Sequence, residues 1–422
     1  MTALQLKKAL QDGALDASLQ ALYPQDVPAQ RERYLAAVEA FAALYGEERE
    51  VSVYSAAGRT EVGGNHTDHQ RGRVLAASVD LDTIAVAAPR KDNAIRLKSE
   101  GYAPVELSLA TLAPVDAEAG TTAALIRGVT AGFVSRGYAT GGFDAYVTSS
   151  VPAGAGLSSS ASFEVLIGSI LSGLCNEGHI SPVTLAVIGQ EAENRFFKKP
   201  CGLMDQVACA VGGLVHIDFS GEDALVTPVR TDFSVFGHAL CITATGGSHA
   251  DLTDAYAAIP REMRAVAGCL GGTVLADVPE EAFLAAIPAL REKTGDRAIL
   301  RAMHWFRENR RVDAEKAALE AGDFRAFLSL IRESGRSSWE LLQNIHPDGA
   351  REQGVALALA VSERILAGQG AFRVHGGGFA GTIQAFVPAA LTDAYRQELD
   401  RVFGPGACHV LHIRSTPCGR VM

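Results

Sequence analysis

Apolar and polar positions along this 422-residue chain change their period several times. Residues 1–50 carry helical spacing, interrupted at Pro24 and Pro28. Val51-Ser52-Val53-Tyr54-Ser55 alternates like a strand. It leads into the polar stretch GRTEVGGNHTDH (58–69) and then into the apolar run RVLAASVDLDTIAVAAP. Residues 90–115 alternate as further strands, 119–136 read as a helix, and FDAYVTSSV (143–151) reads as a strand. The next helix should gather Phe163, Leu166, Ile167, Ile170, Leu171 and Leu174 on one face, and residues 182–199 repeat that period. Short strands follow over 215–240, and 279–368 is dominated by helical periods. AFRVH and TIQAFVP bracket GGGFAG as strands, and CHVLHI is the last strand-like segment. Strand blocks and helix blocks alternate in a way that predicts an α+β protein rather than a regular parallel βαβ array. The length calls for two domains, and the short strands place their boundary at 1–225 and 226–422.

Composition narrows the class of protein. Hydrophobic residues make up 48% and charged residues 20%, which describes a globular chain and not a disordered one. No apolar run is long enough to span a membrane, and the first twenty residues resemble an amphipathic helix more than a signal peptide. Seven cysteines without a C-x-x-C pair point to reduced thiols and a cytoplasmic location. A net charge of −10 without a basic run argues against nucleic acid. Forty-three glycines, clustered in loops, suggest backbone that lies close to a ligand.

The loop VPAGAGLSSSAS (151–162) precedes a helix. Glycines free the backbone N–H groups, the helix start adds positive potential and the serines add hydroxyls, so the loop suits an anion. It lacks the lysine of a Walker loop, and a serine-rich helix cap is the plain alternative. GGGFAG (376–381) fits G-x-G-x-x-G, but the strand expected after it denies pyrophosphate the helix it needs. His66 and His69 stand three apart without a third ligand nearby, which makes zinc a poor fit. His216, His375 and His409 read as core or loop residues, and Asp205 taken alone reads as a helix cap.

Together these segments resemble the galactokinases, within the GHMP family of small-molecule kinases. GRTEVGGNHTDHQRGRVL is similar to the signature G-R-x-N-x-x-G-E-H-T-D-Y-x-x-G-x-V-L. PAGAGLSSSAS is similar to the phosphate loop P-x-x-x-G-L-S-S-S-A-S, and PCGLMDQ to P-C-G-x-M-D-Q. GGGFAGTIQAFV resembles the third, glycine-rich motif, and HADLTDAY keeps the spacing of H-S-L-x-x-x-x-Y. The resemblance implies two α+β domains with the active site in the cleft between them. It also implies transfer of a phosphoryl group from Mg·ATP to the anomeric hydroxyl of a sugar.

Carried over residue by residue, it gives Gly154, Gly156, Leu157, Ser158, Ser159 and Ser160 to ATP. It gives Mg²⁺ to Glu193 with either Ser159 or Ser160. Asp205 would face the C1 hydroxyl with Arg59 beside it. Asn65, His66, Asp68 and Tyr256 would meet the sugar, Asp68 at C3 and C4 and Asn65 at C6. The chain departs from the signature at Asn65, where galactokinases have glutamate, at His69, where they have tyrosine, and at Ala57, where they have proline. The HTDHQRG segment approaches galacturonate and arabinose kinases, which read H-I-D-H-Q-G-G and also lack that glutamate. Galactose is the first choice of substrate, since the threonine and PCGLMDQ fit galactokinases well, with a uronic acid or a pentose as the runner-up and a non-catalytic galactose and ATP sensor as the alternative to an enzyme. A monomer is compatible with the sequence.

Overall fold

The computed structural model describes residues 1–152, 156–231, 233–246, 252–347 and 349–422, with the backbone alone at 233, 234 and 253. Three helices open the chain: α1 (Ala3–Gln11), α2 (Asp16–Leu22) and α3 (Val27–Tyr45). Thr2 and Gln5 close a capping box on α1. Pro28 lies in the first turn of α3, where its missing N–H costs nothing, so it starts this helix and does not interrupt it.

An eight-stranded sheet follows. It holds β1 (Ser52–Gly63), β2 (Arg73–Pro89), β3 (Ala94–Ser99), β4 (Val105–Ser108), β5 (Phe143–Ser149), β6 (Leu214–Asp218) and β7 (Leu225–Val229). The 17-residue β2 is its spine. β2 pairs with β1 along one edge, and along the other with β6 through Arg73–Ala77 and with β5 through Thr83–Pro89. A second sheet is antiparallel and takes β8 (His238–Ala244), β9 (Ala371–His375), β10 (Thr382–Pro388) and β11 (Cys408–Leu411), in the order β11-β8-β10-β9. The chain then returns, and β12 (Gly419–Arg420) pairs with β1 at Tyr54 and Ser55. The change of sheet falls between Val229 and His238, a few residues beyond the division expected at 225/226.

Helices α4 (Thr122–Ser135), α5 (Ser159–Cys175), α6 (Pro182–Ala192) and α7 (Met204–Val211) cover one face of the first sheet. Leu166, Ile167, Ile170 and Leu171 of α5 are fully buried there, as their spacing predicted. A helical second half follows: α8 (Thr253–Cys269), α9 (Glu280–Thr294), α10 (Asp296–Glu320), α11 (Phe324–Ser337), α12 (Gly354–Leu366) and α13 (Thr392–Phe403). The opposite face of the first sheet is divided. α1 and α3 pack on Val53, Ile84 and Val86, while α10 and α11 pack with Val62, Leu75 and Ala77. The second group also contains Leu240, Ile242 and Phe386, so one core joins the two sheets.

β1 is consequently buried on both faces along nearly its whole length. It runs through to Gly63, so Arg59 and Glu61 belong to the strand, where a polar loop was expected. Polar side chains on such a strand must find partners. Asp82, fully buried on β2, is held by Arg33 of α3 at 2.7 Å, by Arg414 at 2.9 Å, and by the hydroxyls of Ser55 and Tyr23. Burial works to raise the Asp82 pKa, and the two arginines outweigh it, so the carboxyl lies below its ordinary value. Asp82→Asn leaves the fully buried Arg414 and the partly buried Arg33 short of an anion. It should lower the unfolding free energy by about 3–5 kcal/mol in urea denaturation, whereas a loss below about 1 kcal/mol would mean that Asp82 carries no such burden.

Candidate active site

A cavity of about 800 Å³ opens where the end of β1, the segment before α7, α8 and the β9–β10 turn converge. Arg59 and Asp205 lie on its wall. Arg59 forks onto Asp205, with Nε donating to Oδ1 at 2.8 Å and Nη2 to Oδ2 at 3.0 Å. The third nitrogen, Nη1, donates to the Gly156 carbonyl at 2.6 Å, and the Ser158 hydroxyl donates to Asp205 Oδ2. Burial alone would push the Asp205 carboxyl up. The charge and hydrogen bonds of Arg59, with that of Ser158, hold it below the ordinary carboxylate value, so it is ionised at neutral pH. Asp205 keeps 30% of its side chain exposed, so its oxygens face both the arginine and the cavity. It stands in the first turn of α7, and no side chain caps that helix, so the expected capping role is not the one it takes.

The phosphate-loop motif runs into α5. Gly154 lies outside the described residues. Gly156 has φ +67°, and a Cβ there would meet Thr382 Oγ1 at 2.6 Å, so the position suits glycine alone. Leu157 is buried in the core that joins the sheets, and its carbonyl accepts from the Arg59 N–H at 3.2 Å. Leu157 therefore anchors the loop to β1 by its side chain. Ser158 is left-handed and makes no cap hydrogen bond to α5, which leaves the first-turn N–H groups of that helix without a side-chain acceptor among the described residues.

Ser159 and Ser160 now separate. Ser160 Oγ donates to Glu193 Oε1 at 3.1 Å, whereas Ser159 has no side-chain hydrogen bond among the described residues. Glu193 opens a π turn (Glu193–Phe197) and is nearly fully buried. Lys199 meets its Oε1 at 3.0 Å, and Gln206 Nε2 donates to its Oε2 at 2.9 Å. Gln206 also donates to Glu164 at 3.0 Å, whose carboxyl is pushed well up by burial and by the neighbouring Glu193. Gln206 closes the PCGLMDQ motif without a role having been assigned to it, and Lys199 and Glu164 carried no signal in the sequence.

The other wall is the sugar signature. Asp68 accepts from the His69 N–H at 2.8 Å through Oδ1. A Cβ on Gly202 would meet its Oδ2 at 2.3 Å, so glycine in PCGLMDQ makes room for this carboxylate. Burial raises Asp68 to about 6, against the His69 N–H and with help from the charges of Glu61 and Asp205. His66 donates Nε2–H to the Gly377 carbonyl at 2.9 Å, and its Nδ1 lies 3.3 Å from His69 Nε2. Burial lowers His66 to about 4 and His69 well below its ordinary value, so both rings are neutral. Tyr256 gives its hydroxyl to the Gly378 carbonyl at 2.7 Å and sets its ring edge-on to Phe379. The expected HADLTDAY spacing begins outside the described residues, which resume at Leu252.

Asn65 does not face the cavity as expected. It is fully buried behind the wall, its Nδ2 donating to Glu61 at 3.1 Å and to the Gly376 carbonyl at 2.7 Å. Its Oδ1 accepts from Asn344 at 2.9 Å. The chain turns left-handed on either side, at Gly64 and His66, which sends the intervening side chain inward.

GGGFAG joins β9 to β10 and presents the carbonyls of Gly376, Gly377 and Gly378 to Asn65, His66 and Tyr256. A turn that offers acceptors, followed by a strand, is no pyrophosphate site. His375, beneath it, takes the Glu61 N–H at 3.2 Å and joins the second sheet to β1. No metal cluster of three or more protein ligands occurs among the described residues, and no helix there is long and apolar enough to cross a membrane.

Residues 39–89 match the galactokinase galactose-binding signature, and residues 123–213 match the GHMP kinases N terminal domain. A galactokinase of Homo sapiens is 34% identical over 88% of this chain and 92% of its own length. A galactokinase of Streptomyces coelicolor is 32% identical over 86% and 92%. Among solved structures, a Lactococcus lactis galactokinase complexed with galactose superposes with a TM-score of 0.76 at 24% identity, over 90% of this chain and 97% of that one. A mevalonate kinase of Methanococcus jannaschii shares the fold at a TM-score of 0.62 and 13% identity, over 86% and 98%. Nothing among these relatives favours a galacturonate or arabinose kinase or a sensor. The chain belongs to the galactokinases, sugar kinases of the GHMP family that use ATP.

Proposed function

We propose that this chain phosphorylates the anomeric hydroxyl of galactose, with Asp205 and Arg59 at the reacting end of the cavity. The forked Arg59–Asp205 pair carries this reading, because it fixes an ionised carboxylate at the junction of the sugar wall and the phosphate loop. Asp205 would accept the C1 hydroxyl proton, or orient that hydroxyl, as it attacks the terminal phosphorus. Arg59 would keep Asp205 ionised and offset the charge that builds on the phosphoryl oxygens.

Phosphoryl transfer asks for positioning and charge neutralisation more than for covalent work by the protein. The uncapped start of α5 supports the triphosphate role of Gly156, Ser158 and Ser159, because free N–H groups and positive potential meet there. Gly154 would extend the same loop. Ser160 and Glu193 are suited to Mg²⁺, which takes few protein ligands and keeps phosphate and water for the rest. Bound there, Mg²⁺ would neutralise the phosphates. Asp68, through its second oxygen, would accept sugar hydroxyls, while His66 and Tyr256 would shape the cup as neutral groups. The two-domain division is part of the same reading, with the 58–69 signature and the phosphate loop on the first unit and the GGGFAG turn brought over by the second. A cytoplasmic location fits seven unpaired cysteines.

Asp205→Asn should lower kcat with galactose by about 10²–10⁴-fold while ATP binding stays intact, read by coupled ADP release and by nucleotide titration. Unchanged turnover in that variant would remove Asp205 from the chemistry. A second expectation concerns pH. The Asp68 pKa is raised to about 6, so the carboxylate is present above that pH and is lost as pH falls through it. The kcat/KM for galactose should therefore show an acid limb near pH 6, although the two histidines are already neutral there. Asp68→Asn should abolish this limb and reduce kcat/KM by about 10²-fold at pH 8, whereas His69→Gln should retain it. A limb that survives Asp68→Asn would assign the titration to another group.

A further inference from the structure

Four residues before Asn65, on the same hydrogen-bonded step of the wall, stands a carboxylate that sequence reasoning passed over. We propose that Glu61 is the side chain with which this protein takes a sugar hydroxyl at that wall, and that Asn65 only holds Glu61 in place. The inference rests on the galactose kinase reading above.

Glu61 and Arg59 are two apart on β1, so their side chains leave the strand on the same side, and both line the cavity. Glu61 Oε1 is fully engaged, receiving Asn65 Nδ2 at 3.1 Å and Arg373 Nη2. Its Oε2 receives no hydrogen bond from any described residue. Arg373 lies fully buried behind it on β9, tied by Nη1 to the Val62 carbonyl at 2.9 Å. The carboxylate is thus charge-balanced from behind and open in front, which is the arrangement of an acceptor waiting for a hydroxyl donor. Asn65 offers nothing comparable, because it is fully buried and both ends of its amide are occupied.

The signature that this segment resembles carries an amide at the place of Glu61 and a carboxylate at the place of Asn65. Here the same two groups occur in reverse order and touch each other. The negative charge has moved along the wall without leaving it. Glu61, Asp68 and Asp205 then present three carboxylates to the cavity, facing Arg264 and Arg59, the latter already tied to Asp205.

Glu61→Gln keeps the shape and the Oε1 acceptor but removes the charge. It should raise the KM for galactose by about tenfold or more, the scale of one hydrogen bond to a charged group. The KM for ATP should stay within about twofold of wild type, and the preference for galactose over galacturonate should narrow. Because Glu61→Gln takes from buried Arg373 its hydrogen-bonded carboxylate, the double variant E61Q/R373M serves as a second probe that removes both charges, and it should show the same selective loss. Calorimetry of galactose binding without ATP gives a readout independent of turnover. A protein that binds galactose, loses that binding in Glu61→Gln and never turns the sugar over would keep this inference and overturn the kinase reading. A galactose KM and affinity within about twofold of wild type in both variants would overturn the inference. So would parallel losses for galactose and ATP in both variants, which would mark a structural role only.

Discussion

One guanidinium facing one carboxylate, 146 residues apart in sequence, sets the geometry on which the site depends. Arg59 leaves a strand buried on both faces, so its backbone is fixed by the sheet before its side chain meets anything. All three of its nitrogens are then used. Two hold Asp205 at the start of α7, and the third holds the carbonyl of Gly156. Three separate motifs are thereby locked into one register. A largely buried ion pair of this kind, with Asp205 still open to the cavity, is weak evidence for stability, since desolvation consumes much of the attraction. Its consequence lies in position and charge: the pair keeps an acid ionised and aimed where burial would otherwise neutralise it.

The second sheet completes what the first cannot supply. The β9–β10 turn reaches across with three consecutive carbonyl oxygens, and these consume the donors of Asn65, His66 and Tyr256. Donors that are satisfied in this way leave the carboxylates of Asp68, Glu61 and Asp205 as the main acceptors of a wall that also carries Arg59 and Arg264. That suits a ligand rich in hydroxyl groups. Near α5 the polarity reverses, with uncapped N–H groups and serine hydroxyls. The acceptor-rich cavity thus adjoins the donor-rich start of α5 through Arg59 and Asp205, which fits a polyol beside a polyphosphate.

Much of this was legible in the sequence because the informative residues sit in short contiguous motifs. Most of the order of helices and strands followed from period, though α8 and α13 were not foreseen, and the strand after GGGFAG was enough to dismiss a dinucleotide fold. What could not be read depends on where a side chain points. Asn65 and Glu61 are both polar residues in one glycine-rich segment. Only the left-handed turns at Gly64 and His66, and the extension of β1 to Gly63, decide which of them meets the cavity. Ser159 and Ser160 were equivalent until the start of α5 placed Ser160 beside Glu193. Gln206 ends a recognised motif, but its place between Glu193 and Glu164 shows only in the fold, and Arg373 lies outside any motif. Pro28 misled because proline both ends and begins helices.

The most direct measurement is a double-mutant cycle on the reacting pair: kcat with galactose for wild type, Arg59→Ala, Asp205→Ala and the double variant, each with its fold checked by circular dichroism. If the two side chains act as one unit, the double variant is about as slow as the slower single variant, and the losses are far from additive. Losses that add on a logarithmic scale would contradict the account, because they would show Arg59 and Asp205 contributing independently and the fork between them to be of no consequence for the reaction.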